Sequence, residues 1–122
     1  MKFNSLTKIT KQPLIVVAAM LGVFILEIIL PGNFTWLGIK PRSASGLVGV
    51  VFSPFLHADL HHLMANAVPL LVMGCLVSAL APSLYALRTF SLIVISGLLT
   101  WLISSSGVVV GASGLVLSLI HI

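Results

Sequence analysis

Two short polar motifs stand out in this apolar chain because their residue types are those of a hydrolytic active site. His62 and Asn66 are four residues apart, so on a helix their side chains would share one face, about 6 Å apart. Both side chains can donate hydrogen bonds to a developing negative charge. Ser113 lies in the motif Gly111-Ala-Ser-Gly114, where it would become a nucleophile once a base removed its proton. Together the motifs predict a serine nucleophile beside an oxyanion-binding group.

Each motif taken alone also has a purely structural interpretation. Small residues such as Gly111, Ser113 and Gly114 commonly allow close packing of membrane helices. An asparagine in a span can hydrogen-bond a neighbouring helix, and a histidine at the mouth of a span can simply lie in the interface. A serine at a helix start, however, has a free backbone N–H that can point at an oxyanion. It is the combination of the motifs that favours an active site.

The composition is that of an integral membrane protein. Of the 122 residues, 59% are hydrophobic and only 7% are charged, and the mean hydropathy is +1.24; soluble domains carry roughly 25% charged residues. The length leaves room for about four spans of roughly 20 residues each. We therefore predict an all-α polytopic bundle formed by one domain, residues 1–122.

Hydropathy and helix breakers divide the chain into four predicted spans. They cover residues 14–30, about 61–80, about 87–103, and about 108 to the last residue. The first run lacks the small-residue cleavage site of a signal peptide, so we predict a retained span. Residues 34–56 are broken by Gly, Pro and Ser, which predicts a loop lying partly in the membrane interface.

The basic residues predict the orientation of these spans. The net charge of +4 comes from cations beside the predicted spans, so we interpret it as a topology signal and expect no nucleic-acid partner. Lys2, Lys8, Lys11 and Arg88 would lie inside, against Lys40 and Arg42 outside, which places the N-terminus in the cytoplasm. The second and fourth spans then both begin at the outer face. The two polar motifs, which head these spans, would therefore share one depth in the membrane.

Two other groups of polar residues have side chains of types that could bind a metal or act as a base. His57, Asp59 and His61 are zinc-ligand types, but three ligands on one short turn rarely converge, so we expect no metal. His57 is expected to hydrogen-bond the backbone where the loop enters the membrane. His121 would lie about 12 Å deeper than Ser113 and about 80° around the helix axis, beyond hydrogen-bond reach of about 3 Å, which excludes it as the base.

Several motifs resemble those of the rhomboid intramembrane serine proteases over about residues 36–120. They are Gly38-Ile-Lys-Pro-Arg42, Ser53-Pro-Phe-Leu-His57, His62 to Asn66, Pro69-Leu-Leu-Val-Met-Gly74 and Gly111-Ala-Ser-Gly114. The resemblance implies that Ser113 is the nucleophile, that His62 and Asn66 stabilise the oxyanion, and that His57 supports the first loop. Gly111 and Gly114 would flank the serine. No metal or organic cofactor is implied.

The same resemblance implies that part of the machinery is missing from this chain. Rhomboids have six helices and take their catalytic histidine from the sixth, whereas the fourth predicted span is the last one here. We therefore expect about four of the six helices, and a chain that is inactive by itself. The implied setting is a bacterial plasma membrane with the site facing outward, and the implied partners are the lipid bilayer and a protein substrate's transmembrane segment.

Two alternatives to a protease remain. The first is a rhomboid-like pseudoprotease that binds transmembrane clients without cleaving them; such proteins generally lose the serine or the oxyanion residues, which this chain retains. The second is a four-span transporter fragment that uses Glu27 as an ion site. A single carboxylate near the end of a span argues against it.

Overall fold

Five helices make up the described part of the chain, which covers residues 3–105 and 107–120 of a computed structural model. In chain order they are α1 (Phe3–Ile29), α2 (Val48–Phe52), α3 (Leu60–Leu80), α4 (Tyr85–Ile103) and α5 (Ser113–Ile120). Short 3₁₀ turns occur at Phe34–Leu37, Ser45–Leu47, Ser53–Phe55 and Pro82–Leu84. These ranges contain no strand, only an isolated antiparallel bridge between Ile39 and Val109. The predicted all-α fold is confirmed.

Three of the helices are long and apolar enough to cross a bilayer. The segments are Ser5–Ile29, Leu60–Leu80 and Pro82–Ile103, with mean hydropathies of 2.3, 2.1 and 1.8. Large apolar side chains on their outer surfaces, such as Ile28 and Leu99, are exposed, as expected where lipid is the solvent. The chain is therefore an integral membrane protein built as a helical bundle.

The first helix starts earlier than predicted. α1 begins at Phe3 and contains Pro13, whereas the first span was expected to begin at residue 14. Pro13 is buried against α3, where a β-carbon added to Gly74 would lie 3.0 Å from Pro13 Cβ. Because Gly74 has no side chain, the two helices approach closely, and this packing offsets the hydrogen bond that proline removes from a helix.

The last helix starts later than predicted. The fourth span was expected to open at residue 108, but α5 begins at Ser113. Val109 instead exchanges two backbone hydrogen bonds with Ile39, each of 2.9 Å. Gly111 follows with a φ of 101°, a conformation that interrupts a helix and that glycine adopts without strain. An extended segment therefore precedes the serine.

The core places the starts of α3 and α5 side by side. α3 packs against α1 on one side and against α5 on the other. Fully buried side chains from all three helices fill these contacts: Met20 from α1, Leu63 and Leu70 from α3, and Leu115 and Leu119 from α5. The two predicted motifs head α3 and α5, so this packing brings them to the same end of the bundle.

The segment between α1 and α3 is anchored to the rest of the bundle. Its bridge from Ile39 to Val109 joins it to the extended segment before α5. Arg42 Nη1 donates to the carbonyl oxygens of Leu102, at 3.1 Å, and Ser104, at 2.8 Å, at the end of α4. This segment therefore forms one wall of the region in which α3 and α5 begin.

Candidate active site

Asp59 fixes where α3 begins and so fixes the orientation of the first motif. Its backbone is extended, and its Oδ1 accepts the backbone N–H of His62 at 2.7 Å, which satisfies one of the free donors at a helix start. His62 and Asn66 follow on one face, as the four-residue spacing predicts. Leu63, fully buried, holds this first turn against the core.

A backbone hydrogen bond orients the ring of His62. The backbone N–H of Ala58 donates to His62 Nδ1 at 3.4 Å. With Nδ1 as the acceptor, Nε2 is the nitrogen that carries the N–H. That nitrogen faces Gly111, where an added β-carbon would lie 2.6 Å from it. His62 therefore presents an N–H donor to the segment that leads to Ser113.

Asn66 lies one turn deeper on the same face. Its side chain is only 4% exposed, and Nδ2 donates to the backbone oxygen of His62 at 2.9 Å. The same Nδ2 would be 3.7 Å from a β-carbon on Gly111. Because the amide group carries two N–H donors, one remains for a ligand beside Gly111. His62 and Asn66 thus converge on one glycine of the second motif.

The second motif is held in place from the opposite side. The backbone N–H of Gly111 donates to the oxygen of Ser53 at 2.7 Å, and Ala112 is 1% exposed. The N–H of Val116 donates to the Ala112 oxygen at 2.9 Å, so the α-helical hydrogen bonds start there. Ser113, the first residue of α5, is left with a backbone N–H at the helix start and an exposed side chain.

Ser113 lines a small polar cavity between α4, α5 and the α2 region. The cavity measures about 60 Å³, and Ser113 shares it with other hydroxyl-bearing and glycine residues: Ser53, Ser96, Gly97, Thr100, Gly111 and Gly114. In the described part of the chain, no hydrogen bond joins Ser113 to His62 or Asn66. Gly111 lies between the two motifs, since it lines this cavity and the position that its β-carbon would take is 2.6 Å from His62 Nε2 and 3.7 Å from Asn66 Nδ2.

Ser53, Ser96 and Thr100 were not among the predicted site residues. In α4, Ser96 Oγ bonds the Ile93 oxygen at 3.4 Å, and Thr100 Oγ1 bonds the Ser96 oxygen at 2.8 Å. For Ser96 and Thr100 the one signal in the sequence is their four-residue spacing within an apolar span, which places both on one helix face. Ser53 begins one of the motifs that carry the family resemblance.

His57 lies directly behind His62. Its side chain is 4% exposed, and the two rings make an edge-to-face contact with 5.0 Å between centroids and 67° between planes. Burial lowers the pKa of His57, and a positive charge on the neighbouring His62 would lower it further. A neutral ring is thereby favoured. The predicted supporting role of His57 stays a prediction, but the residue does contact the predicted oxyanion residue.

The remaining polar candidates occupy other positions. Asp59 is committed to capping α3, and the side chain of His61 is exposed. Within residues 3–105 and 107–120, no three His, Cys, Asp or Glu side chains converge as metal ligands. His121, which was excluded as a base on helix geometry, lies outside the described residues.

Part of this sequence is similar to known proteins. A family model described as the Rhomboid domain matches residues 44–122. Uncharacterised proteins of Mycobacterium bovis and Mycobacterium tuberculosis are each 45% identical over 85 residues, which are 65% of this chain and 35% of the relative. An uncharacterised protein of Mycobacterium leprae is 39% identical over 70 residues, 57% of this chain and 28% of its own length.

The matched region spans about a third of the length of the relatives from M. bovis and M. tuberculosis, which is 35% of each protein. No solved structure matches the chain significantly.

Proposed function

The chain belongs to the rhomboid family, and we propose that it supplies the nucleophile and the oxyanion-binding groups of an intramembrane serine protease. In this proposal Ser113 attacks a peptide carbonyl within a substrate's transmembrane segment. His62 and Asn66 donate hydrogen bonds to the oxyanion. His57 supports them from behind, and Gly111 and Gly114 flank the serine.

The strongest support for this proposal is that the side chains of His62 and Asn66 converge on Gly111. Two donor groups from α3, His62 Nε2 and Asn66 Nδ2, lie against the backbone of Gly111, two residues before Ser113. Close packing alone requires small residues, not two polar side chains, one of them buried, beside the same glycine. Preorganised donors near a nucleophile are the arrangement that stabilises a tetrahedral intermediate.

The proposed reaction proceeds through an acyl-enzyme. The Ser113 hydroxyl adds to the carbonyl carbon as a base takes its proton, and negative charge develops on the carbonyl oxygen. The backbone N–H of Ser113, free at the start of α5, would be a third donor to that oxygen. Collapse expels the amine, and water then hydrolyses the ester. By the family resemblance, the base is a histidine on a later helix of the whole protease.

The proposed location is a bacterial plasma membrane with the N-terminus in the cytoplasm. Lys8 and Lys11 lie at the start of α1 and Arg88 at the start of α4, whereas Lys40 and Arg42 lie in the segment between α1 and α3. An excess of cations at one end favours that end as the cytoplasmic one. The site, at the other end of the bundle, would then receive water and substrate from outside.

Labelling with a fluorophosphonate, which reacts with activated serines, tests the proposal. The chain by itself should give no label, since removing the catalytic histidine of a triad protease costs on the order of 10⁶ in turnover. A chimera that joins residues 1–120 to the part of the M. tuberculosis relative that follows its matched region, 45% identical over 85 residues, should be labelled if that part supplies the base. Ser113→Ala in the chimera should abolish the label, and Ser118→Ala should not.

Strong labelling of the chain alone that is lost in Ser113→Ala would contradict the expectation that its base lies elsewhere. A folded chimera that binds transmembrane peptides without reacting would instead support the pseudoprotease alternative.

A further inference from the structure

Glu27 of α1 lies between two cavities at the end of the bundle where the site is found. The first, here called the lateral cavity, measures about 350 Å³ and has apolar walls apart from Glu27; they include Val23, Leu26, Phe34 and Phe52. The second, here called the polar cavity, measures about 300 Å³. Its lining includes Asn33, Thr35 and His57 as well as Glu27. An apolar space and a polar space thus share one carboxylate.

The Glu27 carboxylate is incompletely satisfied. One interaction is with the backbone N–H of His57, but its Oε2 is buried without a hydrogen-bond partner among the described residues. Both ring nitrogens of His57, which lines the same polar cavity, are buried without a well-formed hydrogen bond among the described residues, although the ring interacts with the Phe55 backbone. Buried polar groups in native proteins are nearly always hydrogen-bonded. The unsatisfied groups therefore indicate that something polar occupies the polar cavity.

No cation of the described chain neutralises Glu27. Arg42, which lies in the segment between α1 and α3, directs its guanidinium at the end of α4. An unpaired carboxylate at membrane depth is costly and normally has a partner. A partner that carries N–H donors and a positive charge would satisfy it, and that partner would come from outside these residues.

The position of Glu27 in the membrane restricts what that partner is. Glu27 lies near the outer end of α1, which finishes at Ile29, so it is at the level where headgroups meet acyl chains. Two residues of the lateral cavity, Leu26 and Phe52, are exposed at 52% and 48%. The cavity thus borders the lipid-facing surface, and an acyl chain can enter it from the bilayer without crossing the bundle.

We propose that the two cavities together bind one phospholipid with a primary ammonium headgroup, such as phosphatidylethanolamine. One acyl chain fills the lateral cavity, and the ammonium enters the polar cavity and donates hydrogen bonds to Glu27. A quaternary ammonium has no N–H, and a glycerol headgroup has no positive charge, so neither phosphatidylcholine nor phosphatidylglycerol fits the carboxylate as well. The inference does not depend on the proposed protease function.

Native mass spectrometry of the chain tests this directly. The chain would be reconstituted in nanodiscs with equal amounts of phosphatidylethanolamine, its dimethyl derivative, phosphatidylcholine and phosphatidylglycerol, all with the same acyl chains, and then released with its retained lipids. We expect about tenfold more phosphatidylethanolamine than phosphatidylcholine, equivalent to about 1.4 kcal/mol, with the dimethyl lipid between them. Equal retention of the lipids would overturn the proposal without any variant being needed.

Two substitutions separate a specific site from general charge effects. Glu27→Gln should remove the preference among headgroups, whereas Asp59→Asn, which changes the net charge equally and keeps the cap on α3, should leave it intact. A preference that survives Glu27→Gln in a chain with native circular dichroism would overturn the proposal. A second outcome would also overturn the proposal: the chain shows no selectivity among the lipids, and a lysine-bearing transmembrane peptide displaces all bound lipid. The cavities would then be the binding site of a protein segment.

Discussion

The imidazole of His62 lies against the backbone of Gly111, leaving no space for a side chain at that position. A β-carbon on Gly111 would be 2.6 Å from His62 Nε2 and 2.7 Å from Cε1. Real β-carbons essentially never approach other heavy atoms so closely, and the ring is held from behind by Ala58 and His57. The position of the histidine ring therefore requires a glycine here.

Replacing Gly111 should displace His62. In Gly111→Ala the new methyl group meets the ring, and the φ of 101° adds backbone strain of about 1–2 kcal/mol. We expect a lower thermal unfolding midpoint in detergent and loss of fluorophosphonate labelling in the chimera with the M. tuberculosis relative.

Gly107→Ala is the matched control for this substitution. Gly107 also has a positive φ, of 80°, but no heavy atom lies within 4 Å of its would-be β-carbon. Gly107→Ala should therefore lower the unfolding midpoint through backbone strain but keep the fluorophosphonate labelling. Equal labelling of the two variants would contradict the proposed role of the contact between Gly111 and His62.

Removing the cap on α3 should destabilise the bundle. In Asp59→Ala the backbone N–H of His62 loses its 2.7 Å hydrogen bond to Oδ1, and N-cap replacements of this kind cost about 1 kcal/mol. Asp59→Asn keeps an acceptor oxygen and should stay close to the parent chain. Unfolding in mixed micelles, followed by circular dichroism, measures both; an equal loss in the two variants would show that the charge matters and the cap does not.

Arg42 should stabilise the segment between α1 and α3 through the end of α4. Its backbone N–H donates to the Trp101 oxygen at 3.0 Å, and Nη1 donates to Leu102 and Ser104. It does so with a φ of 52°, uncommon for a residue other than glycine. A cation at a helix C-terminus contributes about 0.3–1 kcal/mol at an exposed position.

Arg42→Gln should therefore lower the unfolding midpoint and expose the segment to protease. Lys40→Gln removes a charge from the same segment but should leave the unfolding midpoint and the protease resistance unchanged, because no side-chain hydrogen bond from Lys40 to α4 occurs in the described structure. Limited proteolysis in detergent compares them, and identical digestion rates would count against a specific contact.

The stability of the chain should decrease as the pH falls through the titration of His57. Its pKa in the folded protein is lowered, mainly by burial, below the ordinary value of about 6.5. As the pH drops below that value, the unfolded chain binds a proton at this residue before the folded chain does, so the free energy of unfolding falls. The decrease ends once the pH is below the pKa of the folded state.

Unfolding at about pH 7.5 and about pH 5.5 measures this dependence. His57→Gln should reduce the difference between the two conditions, whereas His61→Gln, at an exposed neighbouring position, should leave it unchanged. If both variants keep the full difference, another group is responsible.

The proposed orientation predicts which positions are reachable from outside the cell. In a Cys75→Ser background, Thr35→Cys should react with a membrane-impermeant maleimide on intact bacterial spheroplasts, and Ser83→Cys should react only after the cells are broken. Thr35 and Ser83 are both exposed and lie at opposite ends of the bundle, after α1 and before α4 respectively. The reverse pattern would invert the proposed topology.

The sequence by itself determined the class of fold, the family and the central parts of the spans. Spans are visible in sequence because the cost of burying a polar group in lipid acts on each residue separately, so about 20 apolar residues in a row predict a membrane helix. The pairing of His62 with Asn66 was also predictable, since helical spacing is a local property.

Only the tertiary structure decided what lies around those residues. The late start of α5, the contact of His62 with Gly111 and the presence of Ser96 and Thr100 beside Ser113 all depend on residues that are distant in the chain. The bridge between Ile39 and Val109 illustrates the reason. A local hydropathy pattern begins the fourth helix at about residue 108, before Val109. The backbone hydrogen bonds to Ile39 satisfy the same polar groups outside a helix, and only the packed bundle brings those partners together.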